Sequence, residues 1–178
     1  MRTRLISRRH LLRSGVGAAA AFAAGPALAM TESRKLAFLN THTGESLAVS
    51  YFQAGSYDAI GLEQVARVLR DHRTGDIHPI DPALLDLLHE LQALAGRADP
   101  FHVISGYRSP KTNGMLNARS SGVATRSLHM DGKAIDIRLP GFQTKKLHQL
   151  AVSLKRGGVG YYAASDFVHV DTGRVRYW

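Results

Sequence analysis

Cysteine is absent from the 178 residues. No disulfide can brace such a chain, so its stability rests on a packed core, and any metal site must use nitrogen and oxygen ligands rather than thiolates. Long hydrophobic runs are also missing. The apolar stretch from Gly15 to Ala24 lacks leucine and stops before Pro26, well short of the roughly 20 residues a membrane span needs. Acidic residues are few, 14 against 23 lysines and arginines. What remains is 44% hydrophobic and only 21% charged, a balance that excludes a disordered polyampholyte and suits one globular domain.

The basic excess is concentrated at the start. Arg2, Arg4, Arg8, Arg9 and Arg13 precede an alanine-rich stretch that ends in Pro26 and Ala27-Leu28-Ala29, the basic, apolar and small-residue order of an export signal. Ser7-Arg8-Arg9-His10-Leu11-Leu12 resembles the twin-arginine motif, which implies export of a folded protein by the twin-arginine machinery. Residues 1–29 are therefore expected to be a signal, cleaved after Ala29, and residues 30–178 a single periplasmic domain with no lasting membrane anchor. Without those five arginines the remainder holds 18 basic and 14 acidic side chains. A net charge of +4 suits an anionic polymer and is too weak to argue for nucleic acid.

Residues 34–39 and 46–52 flank the polar cluster Asn40-Thr-His-Thr-Gly-Glu45 and read as a β-hairpin. Leu62, Val65, Ala66 and Leu69 recur at helical spacing. Asp81-Pro82 is a helix start, and a leucine stripe from Leu84 to Leu91 continues toward Gly96. Residues 101–105 read as a strand, 111–127 as a long surface loop, 133–139 as a strand, 144–156 as a helix, and 159–162 and 167–170 as strands. Helices precede strands, so the expected class is α+β, with a small antiparallel sheet and helices packed on one side.

Two segments carry the chemistry: Ser127-Leu-His129-Met-Asp-Gly132-Lys-Ala134-Ile-Asp136 and Phe167-Val-His169-Val-Asp171. A catalytic zinc takes three ligands from histidine and carboxylate and keeps a fourth position for water. His129, Asp136 and His169 meet that count, and two strands can bring Asp136 and His169 to one face of a sheet. A lone histidine in an apolar strand is more often a hydrogen-bonded core residue, so the combination carries the inference. His42, His72, His78, His89, His102 and His148 match no such pattern. Zinc is preferred to other divalent metals on availability and tetrahedral preference, since affinity order alone does not select it.

The pattern Ser-x-His-x-x-Gly-x-Ala-x-Asp with a downstream strand histidine resembles the zinc D-alanyl-D-alanine peptidase superfamily, which includes hedgehog-like domains. Within it, Asn40-Thr-His-Thr-Gly-Glu45, Ser105-Gly-Tyr-Arg-Ser109 and Phe167-Val-His-Val-Asp-Thr-Gly173 are similar to the murein endopeptidase K group, over nearly all of residues 34–178. The resemblance implies an α+β fold, zinc held by His129, Asp136 and His169, and hydrolysis of peptide cross-links in peptidoglycan. It also implies a carboxylate base three residues before the last ligand, where this chain has the shorter Asp166. Asp171, two residues after His169, is the rival: it shares the strand face and can act as base or orient a ligand histidine. Arg108 is expected to face the cleft and grip a carbonyl or carboxylate, and Ser127 to orient substrate or His129. Two other activities fit the same core: a zinc-containing murein-binding module without hydrolysis, and a carboxypeptidase releasing terminal D-alanine.

Overall fold

In the computed structural model of this protein, residues 33–119 and 123–178 are described; the expected export signal lies outside them. Apolar residues alternate along each central strand and bury one face. β1 (Arg34–Asn40) contributes Leu36 and Phe38, and β2 (Ser46–Gln53) contributes Val49 and Tyr51. Phe101 and Val103 come from β4 (Phe101–Ser105), Ile135 and Ile137 from β5 (Ala134–Arg138), and Val168 and Val170 from β7 (Phe167–Asp171). Short β3 (Ser56–Tyr57), β6 (Gly158–Tyr162) and β8 (Arg176–Tyr177) complete one sheet in the order β3-β2-β1-β4-β5-β7-β6-β8.

Three helices cover the apolar face. α1 (Ala59–Val68) packs on β2; α2 (Pro82–Ala95) touches β1 and α4 (Thr144–Leu154); α4 touches β6 and β7. α2 follows its sequence signals: Asp81 accepts from the Ala83 amide, Pro82 opens the first turn, and Gly96 closes the helix in the left-handed conformation. Its Leu84, Leu85, Leu88 and Leu91 are fully buried. At about 1.5–3 kcal/mol for each such side chain, this stripe is a main contributor to the core. α1 starts at Ala59, earlier than the leucine spacing implied, because Asp58 caps the Gly61 amide. Among the described residues no helix is long and apolar enough to cross a membrane.

The α+β class holds, but two expectations are corrected. The sheet is eight-stranded and mixed, since β1 runs parallel to β4 and β6 parallel to β8. The long connection through α1 and α2 lets the chain return in the same direction, which a hairpin cannot do. Residues 111–127 are not all loop: α3 (Pro110–Arg119) occupies the first part. Ser109 accepts from the Thr112 amide at its start, and only Thr112 and Asn113 are buried. This helix is built on capping with no apolar stripe, so hydrophobic periodicity is blind to it.

Candidate metal centre and active site

Because Ile135 and Ile137 face the core, Asp136 between them must face the other side, and the same parity turns His169, between Val168 and Val170, to that side. Asp136 and His169 are direct cross-strand partners in the β5–β7 register. His129 arrives from a 3-10 turn, Leu128–Asp131, which Gly132 terminates at φ 65°. A Cβ on Gly132 would stand 2.1 Å from the Pro79 carbonyl oxygen. Both the left-handed backbone and this close approach demand glycine in the motif.

The three ligand-type side chains converge. His129 Nε2 lies 3.2 Å from His169 Nδ1 and 3.3 Å from Asp136 Oδ1, and His169 Nδ1 lies 2.8 Å from Asp136 Oδ1. Ligand atoms bound tetrahedrally at about 2.0–2.1 Å stand roughly 3.3 Å apart, so this triangle has the dimensions of one face of a zinc polyhedron. The outer nitrogens are spoken for. His129 Nδ1–H donates to the Gly106 carbonyl at 2.7 Å, and His169 Nε2–H donates to Asp171 Oδ2 at 3.0 Å. Each bond fixes a tautomer that turns the remaining lone pair toward Asp136. The residues therefore fit a divalent metal in donor type, spacing and orientation, and all three are buried.

Electrostatics follow the packing. Burial holds His129 below the usual histidine range despite the attraction of Asp136. For His169 burial acts in the same direction, but hydrogen bonds accepted by Asp136 and Asp171 outweigh it and push the imidazole up. Burial would raise Asp136, yet the charges and hydrogen bonds of the two histidines hold it far below the carboxylate range. Its second oxygen accepts from Arg108 Nη2 at 2.8 Å, and Arg108 Nε donates to Ser105 Oγ at 3.0 Å. A β-bulge explains Ser105. Val103 pairs with Ile137 while Ser105 pairs with Asp136, so the extra residue Ile104 shifts Ser105 from the core face to the metal face.

The cluster forms the base of a cavity of about 240 Å³ whose lining includes Arg108, Arg126, Ser127, Tyr162 and Trp178. Arg126 is exposed and has no partner among the described residues. Asp171 is fully buried behind His169: Oδ1 accepts from the Gly158 and Gly173 amides, and Arg176 engages both oxygens at 3.1 and 2.7 Å. Burial opposes ionisation, but the bonds from His169, Arg176 and the two amides hold it well below the carboxylate range. The structure does not bring Asp166 to the cluster. It sits in a left-handed turn at φ 52°, bonded to the Thr144 hydroxyl and 3.6 Å from Arg138, in a separate groove beside His102. The only carboxylate among the described lining residues of the cavity is Asp136 itself.

Sequence reasoning passed over Ser105, Tyr162, Arg176 and Trp178. Strand parity marks Tyr162 alone, which pairs with Phe167 two positions from the Gly160–His169 pair and so shares the face of His169.

Comparison with known proteins places the chain in a family. Residues 28–178 match the model of a peptidase family of M15 type described as peptidoglycan L,D-endopeptidase MepK. The chain is 43% identical over 176 residues to the peptidoglycan L,D-endopeptidase MepK of Escherichia coli strain K12, covering 97% of each chain. It is 39% identical over 175 residues to the probable peptidoglycan L,D-endopeptidase MepK of Haemophilus influenzae, covering 96% of this chain and 94% of the relative. With a matched family model over nearly the whole chain and relatives this close, the protein belongs to the MepK family of M15 peptidases.

Proposed function

We propose that this protein is a zinc-dependent endopeptidase that hydrolyses the L,D peptide cross-links of peptidoglycan, with His129, Asp136 and His169 holding the metal. The observation that carries the reading is the 2.8 to 3.3 Å triangle of lone-pair-bearing atoms, each histidine being oriented by a hydrogen bond behind it. Bound there, zinc supplies an acidified water and an electrophile for a carbonyl at neutral pH.

The protein's own groups do the rest. Arg108 leaves Nη1 without a partner among the described residues, at the cavity wall, where it can hold the scissile carbonyl oxygen or a nearby carboxylate. Ser105 and Asp136 fix the plane of that guanidinium. Arg126 adds a positive charge at the rim that has no partner among the described residues, suited to the free carboxylates of stem peptides. Asp171 serves as a positioning residue: its lone pairs are occupied, and it keeps Nε2 of His169 protonated and Nδ1 free. Neither Asp171 nor Asp166 serves as the base in this arrangement. One carboxylate is saturated and the other faces a different groove.

The reading places the chain outside the cytoplasm, exported as residues 1–29 suggest, with Arg8 and Arg9 addressing the twin-arginine route and residues 30–178 as the mature domain. Replacing both arginines by lysine is expected to retain the protein in the cytoplasm. Export in that variant at the normal level would remove the route.

The test of function is muropeptide release from purified sacculi by native, chelated and zinc-restored protein, with a His169→Ala control. Cross-linked dimers should fall to monomers, the activity should vanish on chelation and in the variant, and zinc should restore it. Release of free D-alanine alone would replace the endopeptidase by a carboxypeptidase. Intact cross-links with retained sacculus binding would leave a binding module.

A further inference from the structure

The peptidase reading uses the metal cluster and the arginines but leaves one wall of the cavity without a task. Trp178 is the single tryptophan of the sequence and is 48% exposed. A side chain with so much apolar area is ordinarily buried against its own core or used at an interface. Here it is neither loose nor covered. Its amide donates to the Val159 carbonyl at 3.2 Å, its carbonyl accepts from the Tyr161 amide at 2.9 Å, and its indole Nε1–H donates to the Tyr162 hydroxyl at 2.9 Å.

The ring rests on a shelf made by a missing side chain. A Cβ on Gly160 would stand 2.5 Å from indole Cε2, so only glycine lets the indole lie against the β6 backbone. Gly160 is the cross-strand partner of His169, and the indole centroid is 5.3 Å from the His169 ring. Tyr162 stacks on Phe167 at 4.5 Å, and the Arg176 guanidinium lies 5.0 Å from the indole centroid. Three rings thus extend the cavity from the last metal ligand outward.

Strand order gives the wall its direction. β5 and β7 carry Asp136 and His169; Arg108 follows β4 on one side, and Trp178 lies along β6 on the other. A peptide crossing the cluster would therefore meet a cationic group on one flank and an apolar ring on the other. One hydrogen bond from the indole and two from the residue's backbone hold Trp178 before any ligand arrives, so little ordering cost remains to be met on binding.

We infer that Trp178 is a substrate-binding residue: its indole, shelved on Gly160 and pinned by Tyr162, packs against the aliphatic side-chain carbons of the stem-peptide residue beside the scissile bond, on the flank away from Arg108. This inference rests on the peptidase reading for the identity of the ligand. It assigns Trp178 no part in bond cleavage.

Because the sequence has one tryptophan, its emission reports this contact directly. Purified cross-linked muropeptide dimers titrated into zinc-loaded protein, and separately into metal-free protein, are expected to shift the emission to the blue and reduce quenching by acrylamide. In steady-state kinetics, Trp178→Ala should raise KM about tenfold, the size of an aromatic anchor in a contact surface, with kcat within about twofold. Trp178→Phe should recover most of the loss, and Gly160→Ala, which evicts the indole from its shelf, should mimic Trp178→Ala. Zinc content and melting temperature are measured in every variant to separate binding from folding. Unchanged KM in a zinc-replete Trp178→Ala protein, or emission and quenching indifferent to saturating dimers, would overturn the inference. The emission experiment needs no variant, so it decides the matter even if the alanine protein does not fold. Failure of the unmodified protein to cleave would count against the peptidase reading alone, since the indole contact is read independently.

Discussion

Asp166 and Asp171 bracket the same histidine, three residues before it and two after, yet they inhabit different chemical worlds. Asp171 is on β7, fully buried, and bonded to an imidazole, two amides and a guanidinium. Asp166 precedes the strand in a left-handed turn, exposed and facing the Thr144 hydroxyl and Arg138. Strand parity accounts for the difference. An offset of two keeps a residue on the metal face, whereas an offset of three points away even where the strand continues. Here a turn intervenes as well. Nearness in sequence to a ligand therefore says little about nearness to the metal, and spacing in register says much.

The sharpest way to break the contrast is to compare the partners of the two buried carboxylates. Arg108 binds Asp136 through one oxygen and leaves Nη1 without a partner among the described residues, whereas Arg176 engages both oxygens of Asp171 through Nη1 and Nη2. Arg108→Gln is expected to lower kcat roughly 100- to 1000-fold, as loss of a group holding a developing oxyanion does, with zinc retained. Cleavage near the normal rate would show that the guanidinium only braces Asp136. Asp171→Ala comes next: His169 loses its orienting acceptor, and zinc affinity should fall roughly 10- to 100-fold in a competition titration against a chelator. An unaltered affinity would reduce Asp171 to packing.

Asp71 sharpens the comparison away from the site. It too is buried, and its carboxylate accepts from the Ser109 amide and hydroxyl at 2.8 and 2.7 Å and from the Arg73 amide at 2.9 Å. Burial works against its charge, but the neighbouring Thr112 hydroxyl and the hydrogen bonds from Ser109 and Arg73 prevail and hold it below the carboxylate range. The depressed value means that its stabilisation is complete above the unfolded carboxylate pKa of about 4 and is lost as pH falls below it. Asp71→Asn should cost about 1–3 kcal/mol near neutral pH. Its melting temperature should also fall less steeply below about pH 4 than that of the unmodified protein. Since the residue touches no ligand, zinc affinity should not move. A parallel pH dependence would refute the assignment.

The cluster of His129, Asp136 and His169 was legible because its signal is redundant: motif spacing, strand alternation around Asp136 and His169, and the glycine of the 3-10 turn all agree. The helices with leucine stripes were legible for the same reason. What stayed hidden depends on relations between distant residues or on irregularity. The parallel pairing of β1 with β4 is decided by where two helices deliver the chain. α3 has no apolar face to announce it, and its start is held by Ser109, which Asp71 anchors. Ser105 reaches the metal face only through a bulge that no alternation pattern announces. Arg176 and Trp178 join the site through β8, a strand of two residues with no periodicity to detect.

The smallest effect tests the contrast from its other side. Asp166 is exposed, and its bonds to the Thr144 hydroxyl and Arg138 tie a turn to the start of α4 and the end of β5. Such exposed pairs contribute about 0–1 kcal/mol, and substitutions at such positions stay within about 0.5 kcal/mol, or roughly twofold in rate. Asp166→Asn keeps the shape and the bond to Thr144 while removing the charge. Its kcat and zinc affinity should match the unmodified protein within that twofold, and its pH-rate profile should keep the same limbs. A loss of 100-fold with a missing basic or acidic limb would mean that the turn swings Asp166 into the cavity when substrate binds. The proton relay expected from sequence would then belong to a rearranged state, in which the left-handed backbone at Asp166 acts as a hinge and not merely as the end of a 3-10 turn.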